Sequence, residues 1–459
     1  MIELVFAAPD SERLQSGLLS RMDVETCAVL YGRVSETIEG LRIFITRMEF
    51  APPAAYAERS PVSATLTPEY VFEVTSGARQ DDLVCIFAHS HPADHQLPSF
   101  SRVDDQGERR LADFLAARLP SRPHAAMVVS PGGLRARIIG CGPEIRVRQV
   151  GKELVTLFDP RAPELVMPWH DRQIRAFGKL GQLAISRLRV AIVGLGGTGS
   201  IICQQLTYLG IRDFILVDFD TVDETSLNRL VGAVPADVGA LKVDVARRGI
   251  QSVFDGASVK AIAGDVADDH VARQLIGADI VFSCTDSHAS RAVIGQIAYQ
   301  YLIPTIDMGV SISVRLGQLA FITGRVQLLA PGLPCLACMD QLDSEQIRRE
   351  MMTPEQRKAD PYITGVREPQ PSVISLNSTV SSLAITMFLG VVASAPVKSR
   401  AQIYDGINGS VRNITANVDA ECFVCSVSGA LAKGDSLPLP TRPVQHRSVV
   451  GGANSSALG

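Results

Sequence analysis

Three sets of residues in this chain have types and spacings that could do chemistry. In the first, His89 and His91 stand two apart at the end of an apolar, strand-like run, LVCIFAHSH. Side chains at i and i+2 of an extended chain share a face, so both imidazoles can reach one metal ion. Asp104, on the loop beyond, can add an oxygen ligand and leave the fourth tetrahedral position to water. That is the open arrangement of a hydrolytic zinc, which lowers the pKa of its bound water to about 7. Such a site needs a base for the water and a donor for the oxyanion. Glu25, in ETCAVLYG, and Ser101 are the candidates.

The second set is GLGGTGS (194–200), which follows a strand-like stretch and opens a helical one. Glycines let a backbone approach phosphates, and the N-terminus of a helix offers free N–H groups. Gly194, Gly196 and Gly199, with Gly197 between them and Asp218 placed to hold a ribose, read alone as a dinucleotide fingerprint pointing first to NAD. The third set is two C-x-x-C pairs, Cys335 with Cys338 and Cys422 with Cys425. Four thiolates so paired close a tetrahedron around a structural zinc.

These sets need scaffolds. The chain has 459 residues, enough for two or three domains. Its first 150 residues alternate short apolar runs (LRIFITRMEF, HAAMVVSPGG, LRARIIG) with loops and carry an amphipathic stretch at 105–119. We read a mixed α/β domain over 1–151 with a sheet at its centre. Prolines at 160, 163 and 168 break the pattern, marking a linker over 152–169. Beyond it, RVAIVG, FILVDFD, SVKAIAG, ADIVFSCTD and IPTIDMGV alternate with helical stretches, which predicts a Rossmann-like, mostly parallel sheet covered on both faces over 170–432. A tail rich in Pro, Gly and Ser over 433–459 is expected to be disordered.

Net charge of −4 argues against a polyanion-binding surface, so no nucleic acid is expected. The N-terminus does not read as a signal peptide, and LAITMFLGVVASA (383–395) reads as a buried helix rather than a bilayer span. No membrane partner is expected. Nine cysteines without a secretion signal suggest a reducing, cytoplasmic compartment.

Glu25 in its E-x-C-x-x-L-x-G context, HSHP at 89–92 and SRVD at 101–104 resemble the JAMM/MPN zinc metalloproteases, which cleave tails and isopeptide bonds of ubiquitin-like proteins. Ser99 is the rival serine, but only Ser101 lies three before Asp104; the spacing from His91 is two residues longer than the commonest in that family. The resemblance implies a cytidine-deaminase-like α/β fold and gives Glu25 and Ser101 their catalytic roles.

VDFDTVDETSLNR (217–229), GALK (239–242) and CTDS (284–287) resemble the adenylating domain shared by ThiF/MoeB-type sulfur-carrier activators and ubiquitin-activating enzymes. That resemblance puts Asp218 on a ribose, Arg229 and Lys242 on the phosphates of ATP, Asp220 and Asn228 beside them, and Asp286 on magnesium. It implies that Arg172, on the helix DRQIRAFGKLGQ, completes the ATP site of a partner subunit in a homodimer. It also matches the cysteine pairs. Ser226 stands where the family usually has Asn, and no cysteine lies between Cys338 and Cys422, where ubiquitin-activating enzymes carry their nucleophile.

The two resemblances together imply a fusion: a zinc peptidase acting at the C-terminus of a β-grasp partner, and an ATP-dependent adenylating domain acting on the carboxylate it frees. Three function classes compete: a bacterial-type ubiquitin-like conjugation system with a conjugating enzyme, sulfur-carrier activation with a sulfurtransferase, and a non-catalytic scaffold.

Overall fold

The computed structural model describes residues 2–37, 40–161, 167–316, 318–353, 356 and 371–442. The first half contains β1 (Ile2–Ala7), β2 (Cys27–Thr37), β3 (Gly40–Phe50), β4 (Tyr56–Ser60), β5 (Ser63–Leu66), β6 (Val84–Ser90), β7 (Ala125–Ser130), β8 (Gly133–Ile138), β9 (Arg146–Val150) and β10 (Leu154–Phe158). Eight of these make one mixed sheet in the order β10-β9-β1-β3-β2-β6-β7-β8, while β4 and β5 pair as a separate ribbon. Helices α1 (Ala8–Leu18), α2 (Pro68–Gln80) and α3 (Arg102–Arg118) accompany them. Each of the last two starts on a chemical signal: Thr67 caps α2 ahead of Pro68, and Ser101 and Asp104 form a capping box on α3.

The second half contains α4 (Asp171–Ser186), β11 (Arg189–Val193), α5 (Gly197–Leu209), β12 (Asp213–Val217), α6 (Lys242–Val253), β13 (Ser258–Ile262), α7 (Asp269–Ala272), β14 (Ile280–Ser283), α8 (His288–Gln300), β15 (Thr305–Arg315), β16 (Gln318–Leu329), α9 (Ser344–Met351), α10 (Ile374–Val392), β17 (Ala401–Asp405) and β18 (Ser410–Asn413). The sheet order is β13-β12-β11-β14-β15-β16-β17-β18. From β13 to β15 every pairing is parallel, and β11, β12 and β14 are continuous apolar runs with scarcely an exposed residue, as strands covered on both faces must be. β15 to β18 pair antiparallel, so four of the seven pairings in this sheet are parallel and three are not. The antiparallel part was not legible because β15 and β16 join through a tight turn, and β17 and β18 are short strands that follow the long excursion carrying α9 and α10.

Helix α10 has the length and composition to cross a membrane. Here it packs against α5, β15 and β16, with Val380, Ala384, Met387, Phe388 and Val391 buried, as expected for the stretch 383–395.

The stretch expected as a linker, 152–169, contains a paired strand, and its residues 162–166 lie outside the described ones. Leu154 to Phe158 pair antiparallel with β9, and buried Leu154 shares a continuous apolar core with Val5, Phe44 and Val150 of the first half and Val190, Ile215 and Ile306 of the second. Pro160 follows this strand and does not interrupt it. The start of the expected disordered tail is also packed. Tyr301 donates to Asp435 (2.8 Å), Gln300 donates to the carbonyls of Gly434 and Leu437 (2.8 and 2.6 Å), and Arg442 pairs with Asp265 (2.6 Å). Residues 443–459 lie outside the described ones.

Charge joins the halves as well. Glu3 on β1 lies between Arg42 on β3 and Arg146 on β9, both its register partners. Those two guanidiniums lie 2.9 Å from its carboxylate, and Arg148, two residues along β9, is bonded to it too. Asp279, just before β14, reaches across from the second half: its Oδ1 lies 3.4, 3.3 and 2.7 Å from Arg42, Arg146 and Arg148. All five are buried.

Burial opposes charge on Glu3 and Asp279, but the three guanidiniums outweigh it and hold both carboxyls below the ordinary range. The unfolded chain therefore takes up protons here before the folded chain does, and stability should fall as pH drops below about 4. Removing one partner of a buried pair costs about 3–5 kcal/mol. Asp279→Ala should lose that much in urea denaturation at pH 7, and should flatten the acid limb of the stability profile. A loss under about 1 kcal/mol would show that the cluster is not holding the halves together.

Candidate functional site

Pairing places the first site. His89 ends β6 between Cys27 of β2 and Val128 of β7, and the His91 N–H donates to the Val129 carbonyl (2.8 Å), keeping the chain extended one step past the strand. The two Nε2 atoms come within 3.2 Å, and Asp104 places Oδ1 3.1 Å from His89 and Oδ2 3.5 Å from His91. Ligands 2.0–2.1 Å from a tetrahedral zinc stand roughly 3.3 Å apart, so this triangle has the dimensions of one face of such a tetrahedron. The donor set therefore fits zinc.

Glu25 is nearly fully buried, its Oε1 3.7 Å from His91 Nε2. Burial pushes its carboxyl up, and the imidazoles of His89 and His91 hold back part of the rise. A carboxylate so raised suits a general base near neutrality. Burial also works to raise Asp104, but hydrogen bonds from both imidazoles prevail and keep it ionised. The same bond to Asp104 raises His91 against desolvation, so metal binding there displaces a proton.

The Ser101 hydroxyl accepts from the Asp104 N–H (3.1 Å), and its own N–H donates to Asp104 Oδ2 (2.6 Å). Ser101 thus fixes Asp104 while keeping a hydroxyl proton to give. Sequence reasoning missed Arg59, which donates to the Glu25 carbonyl (2.7 Å) and Thr26 Oγ1 (2.8 Å) and stacks on Tyr56. Its only sequence signal is a position in a short polar ribbon.

The second site lies where the direction of winding reverses. β11 leads through α5 to β12 on one side, while β14 flanks it on the other, so the loops after β11 and β14 border a crevice at the carboxyl ends of the strands. Gly194 takes φ +87°, and a Cβ there would stand 2.8 Å from the Cys284 carbonyl, so the two loops touch. At Gly199 a Cβ would fall 1.8 Å from the Gly194 carbonyl, whereas at Gly196 it would meet nothing within 4 Å. The space over Gly196 is open.

From this loop a polar chain runs outward. Asp218 accepts from the N–H of Leu195 (2.6 Å) and of Asp220 (2.8 Å), and Asp220 pairs with Lys242 (2.7 Å) at the start of α6. Burial raises Asp218, and the two amide bonds oppose this. Arg229 donates to Thr225 O (2.6 Å) and Asn228 Oδ1 (3.3 Å), and its Cδ lies 3.5 Å from where a Gly197 Cβ would stand. Buried Ser226, where the family usually has Asn, spends its hydroxyl on the Asp223 carbonyl (2.8 Å) within its own turn.

Asp286 is exposed in the loop between β14 and α8. Beside it, Glu350 of α9 accepts from Ser287 Oγ (2.7 Å) and the Ala289 N–H (2.8 Å). Arg172 is exposed on the first turn of α4. Asn377 was missed: buried on α10, it lies against Gly197, and a lone amide inside ISLNSTV was its signal.

The third site gathers Cys335, Cys338, Cys422 and Cys425. Cys335 stands 3.7 Å from Cys338 and 3.5 Å from Cys422, and Cys338 stands 3.5 Å from Cys425. Disulfide sulfurs lie about 2.05 Å apart. Thiolates about 2.3 Å from zinc stand roughly 3.8 Å apart, so this set also fits the metal. A hydrogen bond from Cys425 brings the Cys335 thiol down to about 5 and pushes Cys425 up.

Residues 170–424 match the ThiF family. The molybdopterin-synthase adenylyltransferase of Salmonella typhimurium is 27% identical over 258 residues, 56% of this chain and 95% of that protein. The ubiquitin-like modifier-activating enzyme 5 of Oryza sativa subsp. japonica is 28% identical over 181 residues, 35% of this chain and 41% of that protein. The adenylyltransferase and sulfurtransferase UBA4 of Meyerozyma guilliermondii is 32% identical over 138 residues, 29% of this chain and 32% of that protein.

Two metal sites of this geometry should give two zinc ions per chain by inductively coupled plasma mass spectrometry. His91→Ala should lose one and Cys422→Ser the other. A wild-type chain with one zinc that survives His91→Ala would remove the metal from the first site.

Proposed function

We propose, starting from the fact that this chain belongs to the ThiF family, that it adenylates the C-terminal carboxylate of a ubiquitin-like or sulfur-carrier β-grasp protein and also hydrolyses bonds at that C-terminus. The observation that carries the first activity is the chain Leu195–Asp218–Asp220–Lys242, which sets a lysine beside an open glycine loop with Arg229 above it. A dehydrogenase needs no such cations. Phosphoryl transfer does, because attack on the α-phosphorus builds negative charge.

In this reading Asp218 accepts from the ribose hydroxyls of ATP, and backbone N–H groups at the start of α5 face the phosphates. Arg229 and Lys242 neutralise them, Lys242 leaving Asp220 as it turns. A carboxylate oxygen of the partner bonds to the α-phosphorus as the bond to the bridging oxygen breaks, giving an acyl-adenylate and pyrophosphate. Magnesium, bound through Asp286, would supply further neutralisation of the phosphates. Arg172 would complete the site of a second copy in a homodimer.

For the hydrolytic half, support comes from the His89–His91–Asp104 triangle with Glu25 behind it. Zinc in that triangle would supply a Lewis acid and a water acidic enough to ionise near neutrality. Glu25 takes the water's proton and returns it to the leaving amine, while the Ser101 hydroxyl donates to the oxyanion. The two activities then meet on one atom group: the carboxyl that hydrolysis frees is the one that adenylation activates.

We read the system as a bacterial-type ubiquitin-like conjugation pathway with a separate conjugating enzyme. Sulfur-carrier activation with a sulfurtransferase is the second reading, favoured by relatives named for molybdopterin-synthase adenylylation and for sulfur transfer. Neither needs a thioester on this chain. Burial pushes the Cys284 thiol far up, and its Sγ packs against Met308 (3.6 Å), so it suits packing rather than attack.

Lys242→Ala and Asp286→Ala should abolish partner-dependent ATP–pyrophosphate exchange and spare cleavage of a C-terminally extended partner. Glu25→Gln should do the reverse, and Ser101→Ala should cost about 10²–10³ in cleavage rate. Loss of exchange in Glu25→Gln would assign the halves wrongly. Arg172→Ala mixed with Lys242→Ala should recover part of the exchange that each lacks, and no recovery would remove the shared site.

A further inference from the structure

Between the two halves, opposite the nucleotide crevice, lies a cavity of about 70 Å³. It opens at the amino ends of the parallel strands: Arg189 begins β11, Asp213 begins β12, and Gly277 and Asp279 precede β14. One water needs about 10–15 Å³ by this measure, so the space holds a small polyatomic ion but not a nucleotide.

The charge around it does not balance. The buried core of the seam sets three guanidiniums, Arg42, Arg146 and Arg148, against two carboxylates, Glu3 and Asp279. Both carboxyls are held below the ordinary range, so guanidiniums outnumber carboxylates by one in that core, and Arg42 meets part of the excess with the carbonyls of Ile276 and Ala278 (2.8 Å each). Buried charge without a counter-ion is costly. Towards the mouth, Arg161 and Arg187 share Asp159 (2.7 and 3.2 Å), and Arg189 pairs with Asp213 (2.8 Å). Among the described residues that line the cavity, five are arginines and three are acids.

We propose that this cavity binds inorganic phosphate, as a tetrahedral oxyanion that neutralises the excess charge and clamps the two halves. Guanidiniums present paired N–H groups matched to such oxygens. The site is separate from the nucleotide crevice and independent of the activity proposed above.

Titration calorimetry of the full chain with inorganic phosphate, at ionic strength held constant with chloride, tests this. One saturable site is expected, with sulfate, equal in shape, as a competitor. Arg161→Ala/Arg187→Ala, at the mouth and away from the buried core, should weaken binding at least tenfold, whereas Lys242→Ala should leave it unchanged. Heat that follows ionic strength alone overturns the proposal. So does phosphate binding that Lys242→Ala abolishes, since the anion would then occupy the nucleotide crevice, or binding that the double variant leaves intact.

Discussion

Asp279 sits one residue before β14, yet it answers to arginines on strands 130 to 240 positions away in sequence. Its carboxylate and that of Glu3 are shared by the buried arginine trio described above, and each guanidinium leans on both. A greasy seam alone would let two sheets slide against each other, because burial is indifferent to direction. Shared hydrogen bonds at about 3 Å are not indifferent: moving either half by an ångström leaves a charge unpaired in a dry interior. The apolar core that runs from Val5 and Phe44 into Val190 and Ile306 supplies bulk attraction, and the ionic cluster supplies registration.

That registration bears on how the sites relate. The metal-fitting triangle lies at the end of β6 in one sheet, and the glycine loop follows β11 in the other. Both hang on strands rather than on free loops, and each sheet contributes a neighbour to the cluster: β1, β3 and β9 from the first, the lead into β14 from the second. Two active sites on tethered, independent domains would sample many separations. Here the shared core and the ionic cluster hold the metal-fitting triangle and the glycine loop at a fixed separation.

What sequence could reveal follows from how local each feature is. His89 and His91 share a strand face, Ser101 and Asp104 share one helical turn, and the glycines of 194–199 serve a single loop; short spacings encode all of these. Cys335 and Cys422 are distant, but each belongs to a short motif that repeats. The arginine cluster has no such pattern, since its members come from three strands and a loop, and every one reads singly as a solvated charge. Asn377 and Arg59 were invisible for the same reason, acting through partners that only folding brings near. Strand β10 was hidden by the prolines that follow it in sequence, and the packed stretch 433–442 by its composition, although Arg442 and Asp435 hold it through specific ion pairs.

The four cysteines have one more consequence. Cys335 and Cys422 are 87 positions apart, and the chain between them includes α9, the core helix α10 and the edge strands β17 and β18. A metal bridging them closes this excursion into a ring. In polymer terms, the unfolded ring has far fewer conformations than the open chain, and the entropy so removed grows only slowly with loop length. With a metal there, the edge strands β17 and β18 would be tied into the ring at both ends. Unfolding that segment, α10 included, would then forgo the conformational entropy that the ring denies it.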